Sequence, residues 1–186
     1  MPGRIYLLIG PTAAGKNTLI NHLLQSQPQL IYIPSFTTRP MRDGESENNS
    51  YHFVSKEDFT QRIIENEFFE YQEVHGNLYG TSIKEFTKII TNNQIGITDV
   101  DIMGGLKIKR TWPESITTIF IRPSDPNILV ERLKQRHSES EETLKRRLAR
   151  VPLELSMESQ CDYIVFNDDL EQAVKSLSLI LKKGVK

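Results

Sequence analysis

Apolar and polar residues alternate in blocks along this chain, and the length and spacing of each block decide what it predicts. The run "RIYLLIG" is apolar almost without interruption and ends at glycine, the pattern of a strand buried on both faces. It passes into "KNTLINHLLQSQ", where Leu19, Ile20, Leu23 and Leu24 recur at helical spacing. The same succession returns downstream: "IGITDVD" and "SITTIFI" predict buried strands, while "PNILVERLKQR" and "LEQAVKSLSLILKK" predict amphipathic helices. Strands alternating with helices predict an α/β fold built on a parallel sheet.

A different texture interrupts this alternation from about Ser35 to Ser82, polar and rich in turn residues through "TTRPMRDGESENNS". Within it "YHFV" and "FFEYQEV" predict strands on either side of a helix in "KEDFTQRIIEN", with Ser55 and Asp58 spaced as its cap. A small inserted subdomain is expected. A shorter insertion, "HSESEETLKRRLAR", leaves one helix and starts another, Ser138 and Glu141 having capping-box spacing; it is a candidate lid. Neither an internal repeat nor a low-complexity tract divides the chain further.

Composition narrows the function classes. With 186 residues, 38% of them hydrophobic, the chain can bury one sizeable core. A formal net charge of -1 and a pI near 6.4 supply no global basic field, so neither a nucleic-acid polymer nor an anionic membrane is expected as a partner. Any anion site must be local. The lone Cys161 cannot form an intramolecular disulfide, and no histidine and cysteine cluster has zinc spacing, which points to the cytoplasm. The first apolar run is far shorter than a membrane span and enters a glycine loop rather than a cleavage site.

That loop carries the chemistry. "GPTAAGKNT", Gly10 to Thr18, follows the phosphate-loop pattern G-x-x-x-x-G-K-[ST] except that Asn17 stands at the hydroxyl position. Glycines allow a tight turn whose N-H groups converge on phosphate oxygens at the positive end of a helix. Lys16 is a compact cation for the β- and γ-phosphates, and Thr18 can donate a hydroxyl. Asn17 offers only a neutral amide oxygen. Magnesium keeps most of its waters in such sites, so the exchange weakens the metal position without removing it.

Several stretches together, "GPTAAGKNTL", "TTRPMRDGE", "YHFVSKEDF", "GNLYGTS", "DVD", "RLKQR" and "YIVFNDDL", resemble the guanylate kinase family in its own order and over nearly the whole chain. The resemblance implies a P-loop NTPase-type parallel sheet flanked by helices, in one domain over 1–186. Its core would be 1–34, 83–136 and 156–186, with a GMP-binding insertion at 35–82 and a lid at 137–155. It implies transfer of the γ-phosphoryl of ATP to GMP, with dGMP as a further acceptor and Mg2+ as cofactor.

Carried over residue by residue, ATP would meet Gly10, Pro11, Thr12, Ala13, Ala14, Gly15, Lys16, Asn17 and Thr18, with Arg132 and Asn167. For Asn167 a position near adenine and a helix cap remain equal readings. Arg39, Arg42, Tyr51 and Tyr79 would hold the GMP phosphate; guanidinium forks match a phosphate dianion, and tyrosines add neutral donors. Ser35, Glu70 and Thr81 would read the base, since guanine presents adjacent N-H and NH2 donors that one carboxylate can accept together. "ITDVD" is expected to place Asp99 and Asp101 on one face at a strand end, where ligands gather in such sheets. The family implies Asp99, with Asn17, near magnesium and Asp101 near the acceptor. Arg132, Arg136 and Arg147 resemble lid arginines; Lys16, Asp99, Arg136 and Arg147 form the expected catalytic set.

The chain departs from the family pattern at Asn17, Met103, His137 and Ala13, positions that bear on magnesium dependence and lid motion. Two alternatives stand beside the main reading. One is a ribose 1,5-bisphosphate kinase, which tends to carry a polar, non-serine residue after the loop lysine. The other is a non-catalytic guanylate-kinase-like module that binds phosphopeptides, although such modules typically lose that lysine.

Overall fold

Ile5 to Ile9 are all buried, yet alternate residues serve two different cores, Tyr6 and Leu8 one and Ile5, Leu7 and Ile9 the other. This is the two-residue strand period acting in a strand covered on both faces. The computed structural model describes residues 3–41, 51–74, 76–134 and 141–183. Arg42, His75, Arg136, His137 and Ser138 lie outside them.

In chain order the elements begin with β1 (Arg4–Ile9), α1 (Lys16–Ser26), β2 (Leu30–Tyr32), β3 (Ser35–Thr37) and β4 (Tyr51–Phe53). They continue with α2 (Lys56–Ile64), β5 (Phe68–Val74), β6 (Asn77–Ser82), α3 (Ile83–Thr91) and β7 (Ile95–Asp99). The last are α4 (Ile102–Thr111), β8 (Ile116–Arg122), α5 (Asn127–Lys134), α6 (Glu141–Ser156), β9 (Tyr163–Phe166) and α7 (Leu170–Lys183).

The main sheet has the order β2-β7-β1-β8-β9, and every neighbouring pair is parallel. Parallel neighbours need crossovers, which the helices supply. On one face Leu19, Ile20 and Leu23 of α1 pack with Ala173, Leu177 and Leu181 of α7. On the other, α3 and α4 pack through Phe86, Ile89, Leu106 and Ile108. This is the parallel α/β architecture expected from the alternation of apolar blocks.

A second sheet, β4-β3-β6-β5, is mixed: β3 pairs parallel with β4, while β6 runs antiparallel to β3 and β5. The predicted helix α2 covers it, its start fixed by Ser55 Oγ accepting from Asp58 N at 3.0 Å. Phe59 of α2 is fully buried and stacks on Phe68 of β5, ring centroids 4.6 Å apart.

One strand is shorter than expected. β7 stops at Asp99, and Asp101 does not share its strand face: it is the N-cap residue of α4, its side chain accepting from Gly104 N at 2.9 Å. Val100 N still donates to Leu8 O, so the chain leaves the sheet only after that bond and turns at once into the helix.

Candidate active site

The loop after β1 is shaped by two glycines. Gly10 has φ 140°, and a Cβ there would lie 2.1 Å from the Ile121 carbonyl oxygen, inside any tolerable contact. Gly15 has φ 90° and caps α1 without a side chain, so the amides of the first turn stay open to an anion. Lys16 Nζ donates to the carbonyls of Gly10 (2.8 Å) and Pro11 (3.1 Å), arching over the loop between them. Pro11, Ala13 and Ala14 are buried, Thr12 is half-buried, and Asn17 and Thr18 are exposed on the first helical turn.

Asn167 braces this loop from across the sheet. Its buried Nδ2 donates to Ala14 O at 2.8 Å and fills the space a Cβ on Gly15 would need, 2.3 Å away. Its own carbonyl accepts from Arg132 Nη2 at 3.0 Å, and its N-H donates to Arg122 O. The cap of α7 is instead Asp169, whose Oδ1 accepts from Gln172 N at 2.8 Å. Of the two sequence readings for Asn167, the helix cap is therefore excluded. Arg132 is tied to this brace through its guanidinium.

Asp99 stands beside the loop because β7 pairs in parallel with β1, Leu8 opposite Asp99. Burial raises its carboxyl pKa, opposed by the Lys16 ammonium and by a hydrogen bond from Tyr32. Tyr32, on β2 opposite Ile97, escaped the sequence reading; the only hint is a polar tip inside the apolar stretch "LIYI". Glu154 of α6 escaped it as well. It lies 3.9 Å from Arg150, and burial raises its pKa against the pull of Arg150 and then Lys16. Helix α6 also carries the half-buried Arg147.

The second sheet gathers the remaining candidates by register. Glu70 of β5 is opposite Thr81 of β6, and Gln72 is opposite Tyr79; Tyr79 is opposite Thr37 of β3, and Ser35 is opposite Tyr51 of β4. Opposed residues share a face, so Ser35, Tyr51, Glu70, Gln72, Tyr79 and Thr81 line one surface. Thr81 Oγ1 donates to Glu70 Oε1 at 2.7 Å. Burial raises the Glu70 pKa, partly offset by that bond. The rings of Tyr51 and Tyr79 meet edge to face at 5.8 Å, and the Arg39 guanidinium lies 5.5 Å from the Tyr51 and Phe53 centroids.

Gln72 Nε2 donates to Asp101 Oδ2 at 3.3 Å and so joins this surface to the N-terminus of α4. Its signal was the strand period itself, two residues beyond Glu70. Met103, next along α4, is exposed. Among the described residues no group of three or more His, Cys, Asp or Glu side chains forms a metal-binding cluster.

A glycine loop running from the central strand of a parallel sheet into a helix, with a lysine over the loop and a carboxylate at the adjoining strand end, defines a P-loop phosphotransferase type of site. The family model described as guanylate kinase matches residues 2–184. A guanylate kinase of Chlorobium luteolum is 37% identical over 179 residues, covering 96% of this chain and 91% of that protein. One of Shewanella violacea is 39% identical over 181 residues, covering 97% and 87%. The crystal structure of guanylate kinase from Anaplasma phagocytophilum superposes with a TM-score of 0.78 at 28% identity, covering 98% of this chain and 86% of that one. The chain belongs to the guanylate kinase family.

Ala13 takes φ 66°, a left-handed conformation that strains any residue with a Cβ and that glycine adopts freely. Ala13→Gly should therefore raise the unfolding free energy by about 0.5–1 kcal/mol, the relieved strain exceeding the added chain entropy. Urea denaturation checks this; a lower midpoint at equal slope would refute it.

Proposed function

We propose that this protein transfers the γ-phosphoryl group of ATP to GMP, and to dGMP, releasing ADP and GDP or dGDP. The observation that carries the reading is the half-buried Glu70, held by Thr81 on the sheet surface shared with Tyr51 and Tyr79, on the same molecule as an open phosphate loop. Guanine offers adjacent ring N-H and NH2 donors; the Glu70 carboxylate takes both, with Ser35 and Thr81 serving the carbonyl side. Arg39, Arg42, Tyr51 and Tyr79 bind the acceptor phosphate, and Asp101 holds the acceptor nucleotide.

The loop amides and Lys16 cradle the ATP phosphates. An oxygen of the GMP phosphate attacks the γ-phosphorus, the new O–P bond forms, the bond to the β,γ-bridging oxygen breaks, and ADP leaves. No general base is required, because the attacking phosphate is already an anion; alignment and charge stabilisation do the catalysis. Arg136 and Arg147, with Arg132, neutralise charge on the transferring group as the 137–155 segment closes and excludes water.

The residues present fit Mg2+. Asp99 is a single carboxylate beside Lys16, and Asn17 is an exposed amide on the first turn of α1, the sparse donor set expected where substrate phosphates and water complete the shell. Asp99 and Asn17 would hold the ion, which when bound would supply positive charge against that of the ATP phosphates.

The guanylate kinase relatives do not favour the ribose 1,5-bisphosphate kinase or phosphopeptide-module alternatives. Retention of Lys16 further disfavours the phosphopeptide module. No helix among the described residues is long and apolar enough to cross a membrane. We place the enzyme in the cytoplasm with nucleotides as its partners.

Purified protein given ATP, magnesium and a panel of GMP, dGMP, AMP, UMP and ribose 1,5-bisphosphate should form GDP from GMP in preference to any product from AMP, UMP or the ribose bisphosphate. No GDP at micromolar enzyme would sink the assignment. Lys16→Ala should lower kcat by roughly 100-fold or more, the scale for losing one charge-stabilising donor; unaltered turnover would remove Lys16 from the mechanism. Asn17→Ser should lower the magnesium concentration that gives half-maximal rate, and an unchanged titration would show that residue 17 does not ligate the ion.

A further inference from the structure

Helix α4 opens with the sequence Asp101-Ile102-Met103-Gly104-Gly105, and two adjacent glycines near a helix start weaken the helix relative to alanine. The two serve different neighbours. A Cβ on Gly105 would lie 2.4 Å from Ile9 Cδ1 and 3.0 Å from Val100 Cγ2, so that glycine lets α4 settle on the apolar core. The three atoms nearest to a Cβ on Gly104 would all belong to Glu70: its Cγ at 2.9 Å, Cδ at 3.1 Å and Oε1 at 3.4 Å. The vacancy at residue 104 is filled by the stem of a carboxylate.

Glu70 has little freedom to move away. On one side of it in β5, the Phe69 carbonyl accepts from Lys107 of α4; on the other, Gln72 donates to Asp101 at the head of the same helix. Its own Oε1 is held by Thr81, and the position of Gly104 is fixed in turn by its N-H donating to Asp101 Oδ1. The carboxylate is thus clamped between a hydroxyl on β6 and a bare Cα on α4, pinned to that helix before and after.

We propose that Gly104 is a specificity-determining position, which by lacking a side chain sets the orientation of the Glu70 carboxylate toward the acceptor base. Gly104 touches no substrate itself; it acts through Glu70, and the proposal rests on Glu70 reading guanine. A methyl group at residue 104 displaces the carboxylate from Thr81 and turns it from the paired donors of guanine. The sharpest readout is discrimination between GMP and inosine monophosphate, which keeps the ring N-H and the carbonyl but lacks the exocyclic amine.

The test compares wild type, Gly104→Ala, Glu70→Ala, the double variant and Gly105→Ala. For Gly104→Ala we expect the KM for GMP to rise roughly 5- to 100-fold, the range for one lost bidentate base contact, and the GMP-over-inosine preference in kcat/KM to shrink by a similar factor. The KM for ATP should stay within about twofold, since P-loop geometry is untouched. In the double variant the methyl meets no carboxylate, so its KM and preference should equal those of Glu70→Ala alone. Gly105→Ala should instead lower the thermal midpoint and leave the preference unchanged.

A wild-type KM and preference in Gly104→Ala overturn the proposal, as does a further loss in the double variant beyond Glu70→Ala. Should Gly104→Ala fold poorly, recovery of the Glu70→Ala midpoint by the double variant supports the same clash, and failure to recover refutes it. A wild-type protein that makes no GDP overturns the acceptor assignment and this proposal with it. A protein that makes GDP while Gly104→Ala behaves as wild type overturns this proposal alone.

Discussion

The parallel pairing of β1 with β7 on one side and β8 on the other is the constraint on which the site depends. Because all three strands run the same way, their carboxyl ends deliver the phosphate loop, Asp99 and the Ile121 carbonyl to one edge of the sheet. The carbonyl leaves no room for a side chain at residue 10, which fixes how the chain must turn there, and the turn aims the first amides of α1 outward. Lys16 and Asp99 then sit within electrostatic reach of each other. The ammonium limits how far burial can raise the carboxyl pKa.

The second sheet adds polar side chains gathered by register on one face. Its bulge between Phe68 and Glu70 sets the register that brings Glu70 opposite Thr81. Aromatic packing of Phe36, Phe59 and Phe68 stiffens the back of this sheet, so its front can carry a half-buried carboxylate. The Gln72–Asp101 and Lys107–Phe69 bonds carry that rigidity to α4, which starts directly after β7. Strand β7, beside the phosphate loop, and helix α4, bonded to the second sheet, are therefore joined by two residues, Val100 and Asp101, rather than by a long flexible segment.

Much of the fold was legible because its signals are local. Buried strands show as unbroken apolar runs, α1 and α7 as 3.6-residue stripes, and the start of α2 as a serine three residues ahead of an aspartate. Helix α3 carried an equally plain signal, Ser82 capping at Glu85 ahead of Phe86 and Ile89, yet the pattern reading assigned it no element. The short strands β2 and β3 and the edge strand β9 were harder. Three residues hold too little periodicity, and β9 exposes Tyr163, Ile164 and Phe166, which blurs the link between apolar and buried.

The candidate site divides along the same line. The phosphate loop is written locally, since glycines, lysine, preceding strand and following helix are contiguous and their chemistry is set by covalent spacing. The sequence also offered arginines, tyrosines and carboxylates as candidates, and misjudged Asp101 as a strand residue. Long-range packing alone makes Asn167 brace Ala14 across 153 residues of chain, bonds Tyr32 to Asp99, and sets Glu70 between Thr81 and the bare Cα of Gly104. Such pairings depend on strand register and on which helix packs over which strand. Their free energies are sums over distant residues, so no short stretch of sequence carries them.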